Sequence, residues 1–105
     1  MAFAHAGLIE ALPPGSVMEA TIEDRTVAIC NVGGELHAVD GVCPHRGGPL
    51  GQGALHDDTL ACPWHCWEYD VRSGELRFNP AVRLQRFAVK LEGDNILVDV
   101  SAGTS

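Results

Sequence analysis

A chain of 105 residues holds one domain with a modest core, and a 46% hydrophobic content with 12 Gly and 6 Pro fits a turn-rich globular fold and excludes disorder. Asp and Glu number 14 against 7 Lys and Arg, and the resulting net charge of -7 argues against nucleic acid as a partner and for electropositive protein surfaces. No stretch approaches the ~18 continuous apolar residues of a membrane span, and Met1 to Gly7 has no basic cluster leading into an apolar run.

The expected location is therefore the cytoplasm and the expected membrane partner is none. In that reducing compartment, 4 cysteines point to metal or redox chemistry before disulfides. The charge is uneven. Residues 1–40 hold Glu10, Glu19, Glu23, Asp24, Glu35 and Asp40 against Arg25 alone, and the remainder is close to balanced.

Taken in chain order, Ala6 to Leu12 is the one helical candidate, ended by Pro13-Pro14. Ser16 to Ile22 and Arg25 to Val32 are apolar-rich runs meeting at Glu23-Asp24, the pattern of a hairpin. Gly33-Gly34 turns the chain into a further strand, Glu35 to Asp40. Near the C-terminus, Phe87, Val89 and Leu91 alternate with Ala88, Lys90 and Glu92. Gly93-Asp94 then leads into the alternation of Ile96, Val98 and Val100. Residues 16–40 and 84–100 are thus expected to form a supporting sheet, in a single all-β domain spanning residues 1–105.

Between them the pattern breaks. Gly41 to Gly53 holds five Gly and two Pro, and a second irregular stretch, Cys62 to Trp67, follows an Asp57-Asp58 turn. These read as two loops raised on neighbouring hairpins, where function tends to sit. The first contains Cys43-Pro44-His45-Arg46-Gly47-Gly48-Pro49-Leu50. The second contains Cys62-Pro63-Trp64-His65-Cys66-Trp67. One Cys and one His per loop can hold two irons asymmetrically, thiolates on one and imidazoles on the other. Thiolates donate more charge, so the imidazole-bound iron is the easier to reduce. Two Cys and two His also suit tetrahedral zinc, although the usual finger order, with Cys-x-x-Cys followed by two His on a helix, is absent.

The paired loops, with Leu36 to Val42 leading in and Glu68-Tyr69-Asp70 leading out, resemble those of Rieske iron–sulfur proteins. The length is similar to that of soluble bacterial Rieske ferredoxins. The resemblance implies a Rieske fold: an antiparallel, sandwich-like base with an inserted cluster-binding subdomain of about residues 41–72. It implies one [2Fe–2S] cluster per chain on Cys43, His45, Cys62 and His65, and no catalytic residue. It further implies an electron carrier between a flavin-dependent reductase and a terminal oxygenase of the aromatic-ring hydroxylating type. The alternative of similar fold is the small subunit of an assimilatory nitrite reductase, in which these ligands are often missing.

Arg46, Trp64, Trp67, Tyr69 and Pro80 are the residues expected around the cluster or at a docking face. Trp64 and Trp67 flank His65 and can exclude water or form an apolar patch. Asn79-Pro80-Ala81 resembles the third loop that covers the cluster in this family. High-potential members carry a loop-bridging disulfide at the positions of Gly48 and Trp64, and a Ser hydroxyl at that of Trp67. This chain has neither, but it keeps Tyr69. Cys66 stands where many members have Gly and reads as a small space-filler. Cys30, in an apolar strand, reads as an inert buried thiol. His5, His37 and His56 lack ligand spacing.

Overall fold

The computed structural model describes residues 3–44, 47–64 and 67–104. All strand pairings are antiparallel and fall in two sheets. The strands are β1 (Ala4–Leu8), β2 (Val17–Ile22), β3 (Arg25–Val32), β4 (Glu35–Asp40), β5 (Ala54–His56), β6 (Thr59–Ala61), β7 (Glu68–Asp70), β8 (Glu75–Leu76), β9 (Asn79–Arg83), β10 (Arg86–Glu92) and β11 (Asn95–Thr104). The base sheet has six strands in the order β1-β11-β10-β4-β3-β2. The inserted sheet has five in sequential order, β5 to β9. The insert therefore runs from Ala54 to Arg83. The all-β expectation holds, and among the described residues no helix is long and apolar enough to cross a membrane.

Strand β3 explains how the halves join. Val27 and Ile29 point into a core with Leu12, Ile22, Ala38, Phe87, Ile96 and Val98. Ala28 and Cys30, on the opposite face, enter a second core with Val39, Leu50, Leu60, Tyr69, Leu76 and Leu84. Side chains alternate across a strand, so a run apolar at consecutive positions must be buried on both faces, and β3 lies between the base interior and the insert. Each large aliphatic so buried contributes about 1.5–3 kcal/mol. The turn between β2 and β3 places Glu23 and Asp24 in the left-handed region, at φ 50° and 68°, as a tight hairpin requires.

Two expectations are corrected. Ala6 to Leu12 is not a helix: its first half lies in β1, which pairs with β11 (Ala4 with Val98, Leu8 with Asn95), and Ile9–Ala11 form one 3-10 turn. A helix of seven residues is too short to hold itself, whereas the edge of β11 offers a full row of backbone partners. Asn79-Pro80-Ala81 is not a loop but the start of β9; the turn falls at Arg77-Phe78. Proline is tolerated there because β9 is an edge strand.

Candidate metal centre

Both irregular stretches close on themselves through backbone hydrogen bonds. Cys43 N donates to Gly48 O (2.9 Å) and Gly47 N to Cys43 O (2.7 Å). The entrance is fixed by Val42 N donating to Asp40 Oδ1 (3.1 Å) and Gly41 N donating to Thr26 O (2.9 Å). In the second stretch Cys62 N donates to Trp67 O (2.8 Å), continuing the β6–β7 pairing that sets Leu60 opposite Tyr69. Cys43 and Cys62 are each 1% exposed and share one core. His45, Arg46, His65 and Cys66 lie outside the described residues.

Tyr69 ties the two stretches together. It belongs to the strand leaving the second, is fully buried, and brings its hydroxyl to 3.2 Å from Cys43 Sγ in the first. Burial, then the neighbouring Cys43 and Cys62, push its phenol far above the ordinary tyrosine value. The phenol stays protonated, so it donates once Cys43 is a thiolate. Burial likewise pushes the Cys30 thiol up to about 12, which fits the inert role read from its strand.

Among the described residues, large apolar side chains are exposed around the loops. Trp64 is 62% exposed, and Val42 beside Cys43 is exposed as well. Trp67 is half-buried and packs against the core that holds both cysteines. Phe78, which sequence reasoning missed, is 67% exposed and meets Trp67 edge-on, ring centroids 5.3 Å apart at 87°. An aromatic in an otherwise polar turn was the available signal. Pro80 sits beside Asp70, Glu75, Leu76 and Arg77 on the flank of the insert.

At the other end of β6 from Cys62, ion pairs run through the insert, and one of them reaches the base. Arg72 pairs with Glu35 of β4 and lies 3.7 Å from Asp58. Arg77 reaches Asp58 at 2.9 Å and Asp70 at 3.6 Å.

The chain belongs to the Rieske [2Fe–2S] domain family, whose pattern matches residues 3–90, and so carries one [2Fe–2S] cluster. It is 39% identical over 95 residues to the ferredoxin component of biphenyl 2,3-dioxygenase from Rhodococcus jostii RHA1, covering 90% of this chain and 89% of that one. The fold matches the ferredoxin in a complex of reduced oxygenase and oxidized ferredoxin of carbazole 1,9a-dioxygenase, with a TM-score of 0.81, 23% identity and 91% of each chain covered. It equally matches a Mycobacterium tuberculosis protein assigned as the small subunit of an NADH-dependent nitrite reductase, with a TM-score of 0.85, 21% identity and 96% and 97% of the two chains covered. Those two structural likenesses speak to the fold alone. The sequence relative sets the chain among electron-transfer components, not catalytic subunits.

The described residues fit a cluster. Two buried cysteines are drawn together from separate loops, and a protonated phenol is aimed at one sulfur. A bare glycine, Gly48, faces the other: a Cβ there would lie 2.6 Å from Cys62 Sγ.

Proposed function

We propose that the Cys43 and Cys62 thiolates hold one iron of the cluster and the His45 and His65 imidazoles the other. On this reading the chain is a cytoplasmic ferredoxin that takes single electrons from a flavin-dependent reductase and hands them to a terminal oxygenase acting on an aromatic substrate. The observation that carries the reading is the buried Cys43–Tyr69–Cys62 arrangement, closed by Gly48, in a chain whose relative over 89% of its length is a dioxygenase ferredoxin. The bound cluster supplies reversible one-electron chemistry.

The protein's own groups do the rest. The core keeps water from both cysteine sulfurs. Tyr69 donates a hydrogen bond to Cys43, which favours the more negative reduced state. Trp64, Val42 and Phe78 present apolar surface beside the loops, suited to brief docking of a partner. Pro80, on the flank of the insert, is read as lying at the margin of that face.

Reconstitution tests this. With NADH, a flavin-dependent reductase and the biphenyl oxygenase, adding the protein is expected to raise product formation at least tenfold over the mixture without it. The His65→Ala protein is expected to give none of that increase. Equal rates with and without the protein would contradict the ferredoxin reading.

A further inference from the structure

The ladder of the insert carries a row of side chains from Cys62 out to the surface. Leu60 lies opposite Tyr69, and Tyr69 opposite Leu76. Residues directly opposite on antiparallel strands share a face, and these are all buried. Both registers run on past the strand ends. Cys62 N donates to Trp67 O (2.8 Å), and Arg77 N donates to Glu68 O (2.8 Å). Side chains alternate along a strand, so the next row on the same face is Cys62, Trp67 and Phe78. Exposure climbs along that row, from buried Cys62 through half-buried Trp67 to Phe78 at 67%. The Phe78 ring meets the indole edge-on, with centroids 5.3 Å apart and planes at 87°, a preferred aromatic geometry.

We infer that Phe78 is a positioning residue for Trp67: its ring holds the indole against the Cys62 side of the site and so keeps water from it. Phe78 buries little surface of its own, so its local contribution is the restraint on its neighbour. Trp67 packs on the core that contains Cys43 and Cys62, and half of it lies outside that core. The ring across the ladder opposes an outward tilt. Reduction adds one negative charge to the site, and water stabilises such a charge better than an indole does. Excluding water therefore holds the reduction potential down. The effect is opposite in sign to that of Tyr69, which donates to Cys43 Sγ. It needs no partner protein, which sets it apart from docking.

The inference rests on Cys62 being a cluster ligand, and the test separates the two. Phe78→Ala, Phe78→Tyr, Trp67→Ala, the double variant Trp67→Ala with Phe78→Ala, and Cys62→Ala are purified anaerobically. Iron and sulfide content, the reduction potential and the rate of bleaching by an iron chelator are measured without any partner. Deuterium modulation of the reduced EPR signal in D2O reports water near the site, and far-UV circular dichroism follows the fold. Phe78→Ala is expected to stay folded with full cluster content. Its potential is expected to rise, its bleaching to become several-fold faster and its deuterium modulation to deepen. Phe78→Tyr, which keeps the ring, is expected to match wild type. Trp67→Ala is expected to move the same readouts in the same direction, with bleaching about tenfold faster, and the double variant no further than Trp67→Ala.

A Phe78→Ala protein matching wild type in potential, bleaching and deuterium modulation overturns the inference. So does a double variant in which the two effects add, because Phe78 would then act without Trp67. So does a Phe78→Tyr protein that behaves like Phe78→Ala, or a Phe78→Ala chain that fails to fold, because the ring would then serve the fold and not the indole. Cluster retained in Cys62→Ala overturns the ligand assignment itself. A colourless Cys62→Ala beside an unperturbed Phe78→Ala overturns only the role of Phe78.

Discussion

Tyr69 carries the most information per residue. Its hydroxyl lies 3.2 Å from Cys43 Sγ inside the core, and a donor to a cluster ligand stabilises the more negative, reduced state. Removing it is expected to lower the potential. A differential hydrogen bond of about 1 kcal/mol corresponds to about 40 mV for one electron. Tyr69→Phe should therefore shift the midpoint down by roughly that amount in film voltammetry, with the cluster content unchanged. No shift would reduce Tyr69 to a packing role. With Trp67 in place of a hydroxyl donor and no disulfide between positions 48 and 64, the wild-type value is expected in the lower part of the Rieske range of about -150 to +300 mV.

At the scale of elements, the base and the insert meet through β3 and through the ion pairs around Arg72. Glu35 at the start of β4 is held below the ordinary carboxylate value first by its hydrogen bond with His37 (2.6 Å) and then by the Arg72 charge. A carboxyl whose folded value is depressed adds stability that is present above its unfolded value and lost as the pH falls through the folded one. Glu35→Gln is therefore expected to melt slightly below wild type at pH 7, with the gap closing under about pH 4. Melting curves across that range check it, and a gap that widens on acidification would contradict the sign. The effect is small because the groups are exposed.

Hairpins were legible wherever apolar alternation met a two-residue turn, as at Glu23-Asp24, Gly33-Gly34 and Gly93-Asp94. Ala6 to Leu12 was not, because its partner is β11, almost ninety residues away, and no local pattern reveals a distant edge. Asn79–Arg83 misled for a different reason: its partner β8 is close in sequence, but Asn-Pro reads as a turn although β9 is an edge strand that tolerates proline. Within the two loops, spacing singled out Cys43 and Cys62, which the structure buries in one core, and Tyr69 was foreseen near them. The crowding at Gly48 and the edge-on contact of Phe78 with Trp67 depend on how one loop meets another, which spacing does not encode.

At the scale of the whole molecule, the net charge of -7 bears on the proposed partners. Of the six acidic residues in the first 40, Glu10, Glu19, Glu23, Asp24 and Glu35 are exposed. On the proposed reading, an electropositive reductase would be steered toward such a surface, and added salt would screen the attraction over about 8–10 Å at physiological strength. The second-order rate of reduction by the reductase is expected to fall several-fold between low and moderate salt. A rate flat in salt would leave the apolar face of Trp64 and Phe78 as the docking element.

The account stands or falls on a cluster whose two irons have unlike ligands. Nitrogen hyperfine spectroscopy of the reduced protein, grown with 15N-labelled histidine, tests this most directly. The account predicts about two irons and two sulfides per chain, with couplings from two imidazoles that disappear, along with the rhombic EPR signal, when His45 or His65 is replaced by Ala. A colourless protein holding zinc, or a reduced signal that survives either replacement, would contradict it.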